Sequence, residues 1–79
     1  MATRRVTLTF PPDKIQKPVV FEMAKKFDVI PNIRRARVTE SIGEMTLELE
    51  GKEDNIKKAV EYLEQNNVKV ESAEGNSGI

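Results

Sequence analysis

Chemistry in a protein starts with side chains that hold protons, metals or electron pairs. In this chain of 79 residues two of the most versatile, cysteine and histidine, are both missing. Without cysteine there is no disulfide, no thiolate nucleophile and no cluster ligand. Without histidine the commonest metal ligand and general base is gone. What remains is a basic group (Arg4, Arg5, Arg34, Arg35 and Arg37), scattered carboxylates, three methionines and one conspicuous amide, Asn32.

The arginines pose the question of RNA. Binding of single-stranded RNA on a sheet uses exposed aromatic rings on the central strands for base stacking. The outward positions here are Arg5, Thr7, Thr9, Glu44, Thr46 and Glu48, none of them aromatic. If Val38 faces Met45 across a hairpin, Arg35 falls opposite Glu48, and cross-strand pairing accounts for the charges. Nucleic acid is therefore not an expected partner. Acyl-phosphate hydrolysis would need a loop of backbone N–H donors after the first strand, together with an arginine and an asparagine. The loop begins with Pro11 and Pro12, which remove two donors, and no glycine precedes Gly43. The carboxylates lie at alternating or helical positions that suit a solvated face, so the reading is of a protein that is not an enzyme and carries no metal or cofactor. Met23 and Met45 fall on apolar stripes as core filler, and Met1 is the initiator. Asn32 has two readings: a turn residue at a strand start, or an amide offering one acceptor and two donors to a ligand.

Positioning any of these needs a scaffold, and the apolar pattern describes one. Val6, Leu8 and Phe10 alternate with Arg5, Thr7 and Thr9, the period-two mark of a strand with one covered face. Pro11 and Pro12 end it. Val19, Met23, Ala24 and Phe27 share one helical stripe, predicting a first helix from about Pro18 to Phe27. Pro31 blocks helix continuation, and Ile33 to Thr39 reads as a second strand. In it Ile33 is out of phase with Ala36 and Val38. Either a bulge lies near Arg34 and Arg35, or Ile33 faces away from the helices.

Glu40 to Gly43 makes a tight connection into a third strand, where Met45, Leu47 and Leu49 alternate with Glu44, Thr46, Glu48 and Glu50 up to Gly51. Glu53 and Asp54 open a second helix whose Ile56, Ala59, Val60 and Leu63 recur at i, i+3, i+4 and i+7. Asn66 and Asn67 tolerate the left-handed conformation that ends helices, and Val68, Val70 and Glu71 begin a fourth strand. The segment 74–79 shows no burial pattern and is expected to be mobile, leaving an ordered region of about residues 4–73 in a single domain spanning 1–79.

Two strand-helix-strand units with right-handed crossovers put the first and third strands in the centre and both helices on one face. The predicted fold is α+β, a ferredoxin-like βαββαβ sandwich with a four-stranded antiparallel sheet. A chain this short hides only about 60 to 65% of the surface its unfolded form exposes. One bare face and two bare edges are then expected to draw a second chain. Thirteen basic and thirteen acidic side chains cancel, so no net field directs the molecule to nucleic acid or an anionic membrane. No apolar run approaches the roughly 18 to 20 residues of a membrane span, and the N-terminus shows no signal-peptide pattern. A cytoplasmic protein without membrane insertion is expected.

Several segments, in order, carry a family likeness: Val6-Thr7-Leu8-Thr9-Phe10-Pro11, Pro18-Val19, Ala24-Lys25-Lys26-Phe27-Asp28-Val29, Asn32-Ile33, Ile42-Gly43 and Val68-Lys69-Val70-Glu71. Together they resemble the NIL domain, from about Arg4 to Ala73. That family is best known as the C-terminal regulatory domain of methionine-importing ABC transporter ATPases. The resemblance implies an ACT-like fold, homodimers, and binding of methionine or a related amino acid. It implies a ligand site at Asn32, with Ile33 and Arg34 beside it. Where the family reads Asn-Ile-Leu this chain reads Asn32-Ile33-Arg34, and the connection 40–43 is shorter than in the transporter domains. No phosphate-binding loop is present, so the resemblance implies a free-standing sensor or a piece of something larger. The shorter form resembles members that stand alone or are fused to ferredoxin domains, which implies a second role: docking on a partner enzyme or iron-sulphur protein of sulphur amino-acid metabolism, without a ligand.

Overall fold

The computed structural model describes residues 1–11, 19–39, 41 and 43–73. Six elements follow in order: β1 (Ala2–Phe10), α1 (Val19–Phe27), β2 (Ile30–Val38), β3 (Gly43–Gly51), α2 (Glu53–Gln65) and β4 (Lys69–Ser72). The strands form one antiparallel sheet in the order β2-β3-β1-β4. Central and edge strands are thus as the two crossovers require, and the βαββαβ sandwich is the fold.

Alternation along β1 and β3 builds the core. Val6 stands opposite Leu47 and Leu8 opposite Met45, and side chains directly opposed across a ladder share one face. That face is covered by α1 and α2. Val6, Leu8, Leu47 and Leu49 join Val19 and Met23 of α1 and Ile56, Ala59 and Leu63 of α2 in one buried cluster, with Met45, Val60 and Val70 packed at its margin. Each fully buried Val, Leu, Ile or Met among them contributes about 1.5 to 3 kcal/mol relative to exposure. The two helices also meet through rings: Phe27 and Tyr62 lie 5.4 Å apart, edge to face at 63°. The Lys26 ammonium sits 5.2 Å from the Tyr62 ring and 5.8 Å from that of Phe27.

Chain reversals use residues that accept positive φ. Asp28 (φ 55°) turns the chain out of α1, and the Val29 N–H donates to the Ala24 carbonyl at 3.1 Å. Asn67 (φ 65°) does the same after α2, where Val68 N–H donates to the Leu63 carbonyl at 3.0 Å. This is the left-handed helix ending that Asn permits. At Gly51 the backbone of the α1–β2 turn comes close: a Cβ there would lie 3.3 Å from the Asp28 carbonyl oxygen.

The second strand departs from expectation. It starts at Ile30 and runs through Pro31 to Val38, where the sequence reading began it at Ile33 and ended it at Thr39. An edge strand tolerates a residue without an N–H. The phase conflict at Ile33 is resolved by a bulge: Ile33 pairs with Leu47, Arg35 with Thr46, and Arg34 is the inserted residue. Ile33, Ala36 and Val38 therefore all face the helix side. The assumed register was wrong by two residues, since Ala36 stands opposite Met45 and Val38 opposite Gly43. The fourth strand begins at Lys69, with Val68 buried just before it. Pro12, Pro18, Glu40, Ile42 and the segment 74–79 lie outside the described residues, so the expectations for the connection 40–43 and for the tail end there.

Candidate functional site

The three residues singled out from the sequence sit together on β2, beside the bulge, but they do not converge. Asn32 is opposite Glu48 in register and its amide Nδ2 donates to Oε1 of Glu50 at 3.2 Å. The Arg34 guanidinium lies 3.7 Å from Oε1 of Glu48. Both thus lean toward the carboxylates of β3 on the helix-free face. Ile33 points to the other side and is 56% exposed, because β2 lies outside the part of the sheet that the helices cover.

Glu48 is the centre of this face. Its Oε2 accepts a bond from Arg5 Nη2 at 2.8 Å, within the directly opposed pair Arg5 and Glu48. That hydrogen bond, with the charges of Arg5 and Arg34, holds the Glu48 carboxyl below its ordinary range against an opposing desolvation. The adjoining pair, Thr7 and Thr46, shares a hydroxyl bond at 3.1 Å. The face is a ladder of polar pairs. Its positions on β1 and β3 (Thr3, Arg5, Thr7, Thr9, Glu44, Thr46, Glu48 and Glu50) include no aromatic ring on which a base could stack. Two of the arginines, Arg5 and Arg34, pair with Glu48, whereas Arg35, expected opposite Glu48, stands opposite Thr46.

Apolar exposure is found on the β2 edge and on α1. Among the described residues, Ile30, Ile33 and Val38 along β2 and Phe21 on α1 are the large aliphatic or aromatic side chains left at 50 to 66% exposure, Met1 apart. Their strand is an edge, so its outer backbone groups lack a strand neighbour among the described residues. A separate concavity of about 210 Å³, lined by Ala2, Thr3, Arg4, Glu53 and Ile56, lies two strands away, between β1 and the start of α2. Sequence reasoning did not find it, because no local pattern links the start of the first strand to a helix fifty residues later. Among the described residues no group of three or more acidic side chains is placed to hold a metal ion. No helix there is long and apolar enough to cross a membrane.

Known proteins share both this arrangement and its sequence. The NIL domain profile matches residues 4–72. Methionine import ATP-binding protein MetN 1 of Bacillus licheniformis is 33% identical over 67 residues, which is 80% of this chain and 20% of that protein. Methionine import ATP-binding protein MetN 2 of Acinetobacter baylyi is 41% identical over 59 residues, 70% of this chain and 17% of the relative. The chain thus spans about a fifth of the length of these relatives. In fold it is similar to the crystal structure of the C-terminal domain of an ABC transporter ATP-binding protein from Enterococcus faecalis, with a TM-score of 0.78 at 22% identity, covering 91% of this chain and 84% of that one. With its profile matched over nearly its whole length, the chain belongs to the NIL domain family.

Proposed function

We propose that this domain is a cytoplasmic regulatory module that binds a small amino acid, methionine or a sulphur-containing relative, at β2 around Asn32, at or near a homodimer interface. The observation that carries the reading is the NIL match over residues 4–72, shared with relatives named as methionine import ATP-binding proteins. The geometry of β2 supports it. Asn32 supplies amide donors and an acceptor on an exposed edge, and the Arg34 guanidinium is suited to a ligand carboxylate. Their present partners, Glu50 and Glu48, hold them through exposed or half-exposed bonds at 3.2 and 3.7 Å. Such surface bonds are weak and screened by solvent, so a ligand displaces them at small cost. A ligand held between two copies favours the paired state by its differential affinity, and regulation follows from that shift. The module binds and signals; it does not catalyse.

Isothermal titration with the twenty amino acids and homocysteine tests this. Heat is expected for methionine or a close relative, and Asn32→Ala is expected to weaken binding by roughly ten- to a hundredfold, the loss of a hydrogen bond to a charged group. No heat from any of them at millimolar concentration would defeat the ligand reading.

A second reading has its own observation. The exposed Ile30, Ile33 and Val38 on an uncovered edge suit an interaction and dimerisation module that docks on a partner enzyme or iron-sulphur protein without a ligand. A titration silent for every amino acid favours this one.

A further inference from the structure

β1 begins at Ala2, yet its outer neighbour β4 runs beside it only from Val6 onward. The last bond between them is donated by the Ala73 N–H to the Arg5 carbonyl at 3.0 Å. Backbone groups alternate sides along a strand, so those of Thr3 point the same way as those of Arg5. They have no strand neighbour among the described residues. The concavity of about 210 Å³ opens here, where β4 stops short, and the first turn of α2 forms its other wall.

The lining is of three kinds. Ile56, which is buried, and the half-buried Ala2 are apolar. Thr3 brings a free peptide N–H and C=O. Arg4 and Glu53 bring opposite charges on exposed side chains. These two do not neutralise each other. Among the described residues the ion pairs are those of Glu48 with Arg5 and Arg34, and neither Arg4 nor Glu53 has a partner. A guanidinium and a carboxylate thus border one small space and stay apart.

That combination selects its occupant. A space of about 210 Å³ is smaller than the roughly 300 to 1,000 Å³ of pockets for drug-sized ligands, so the occupant is small. A ligand with a carboxylate alone would meet Arg4 but also the like charge of Glu53, and an amine alone would meet the reverse. A ligand with both charges on one short frame satisfies both walls, through charge-assisted bonds that are stronger than neutral ones. An apolar branch on that frame is covered by Ile56 and Ala2 and leaves water there.

We propose that this concavity is a binding site, complete within one copy of the chain, for a small zwitterion of the free amino-acid type with an apolar side chain. Its carboxylate lies on Arg4 and the Thr3 N–H, and its ammonium on Glu53 and the Thr3 carbonyl. No residue of β2 and no second copy takes part, so the site goes beyond the reading above and stands or falls separately from it.

The Asn32→Ala protein, in which the β2 site is disabled, serves as host for the test. Its isotope-labelled backbone amides are followed by NMR during titration with L-leucine, N-acetyl-L-leucine and L-leucinamide, the last two each lacking one charge. With L-leucine, saturable shifts are expected at Thr3, Arg4, Glu53 and Ile56. The other two ligands are expected to bind at least about tenfold more weakly, the loss of a hydrogen bond to a charged group. Arg4→Gln and Glu53→Gln, both at exposed positions, are expected to weaken L-leucine binding by the same factor while the urea midpoint stays in place. No saturable shift at those four amides at millimolar ligand would overturn the proposal. Equal affinity for all three ligands would overturn it too, because the charges would not be read. The unaltered chain separates the two readings. Shifts confined to Ile33 and Arg34 would keep the β2 site and sink this one, whereas shifts at Thr3 and Glu53 that survive Asn32→Ala would establish this site whatever happens at β2.

Discussion

Arg5 and Glu48 face each other across the two central strands, with guanidinium and carboxylate 2.8 Å apart on the side of the sheet that no helix covers. The pair is half-exposed, at 26 and 25% for the two side chains. Arg34 approaches the same carboxylate from the far side. One glutamate therefore ties an edge strand and two central strands together.

Acid should reveal that tie. The bond to Arg5 is the largest influence on Glu48 and lowers its carboxyl below the ordinary value of 4.5. A carboxyl lowered in the folded state binds its proton less readily there than in the unfolded chain. Its contribution is complete above the unfolded value and disappears as pH falls through the lower folded value. Urea midpoints measured from pH 7 down to pH 3 should fall in the acid limb, and Glu48→Gln should flatten that fall while lowering the midpoint at pH 7. An unchanged pH profile in the variant would show that Glu48 does not carry the tie.

Core and surface apolar residues should behave differently. Leu47 is fully buried at the centre of the sheet, whereas Phe21 is 66% exposed on α1. Leu47→Ala is expected to cost about 2 to 5 kcal/mol through lost burial and the cavity it leaves. Phe21→Ser is expected to stay within about 0.5 kcal/mol. Denaturant unfolding of both variants checks the contrast.

The two ends of α2 offer opposite interventions. Asn67 adopts φ 65° at the C-terminal end. There Asn67→Val is expected to destabilise by about 1 to 2 kcal/mol, while Asn67→Gly is tolerated. At the N-terminal end Lys52 has the extended conformation of a cap, φ −74° and ψ 145°, but makes no capping bond. Lys52→Ser is expected to stabilise by about 1 kcal/mol, by satisfying a free amide of the first turn. Thermal unfolding of the three variants reads both effects.

Much of the architecture could be read in advance because its cues are local. Val6, Leu8, Leu47 and Leu49 alternate, Ile56, Ala59 and Leu63 recur at helical spacing, and these residues do form one core. The Asn66-Asn67 ending of α2 followed from residue type alone. The edge strand was less legible. Pro31 suggested a boundary, yet it lies inside β2, where its missing N–H does no harm. Of the candidate site, Asn32, Ile33 and Arg34 could be named from the family likeness. That Asn32 and Arg34 lean onto glutamates while Ile33 turns to the opposite face could not.

By itself the sequence determined which stretches extend, which coil and which faces are apolar, since periods of 2.0 and 3.6 are written into neighbouring residues. Only the tertiary structure decided the bulge at Arg34 and the convergence of Arg5 and Arg34 on Glu48. It alone also decided the exposure of Ile33 and Val38. Those depend on how strands distant in sequence align and on how far two short helices reach across a four-stranded sheet. A one-residue insertion reverses every side chain beyond it; the phase of Ile33 against Ala36 and Val38 left a bulge near Arg34 and Arg35 as one of two readings, and only the pairing with β3 chose it.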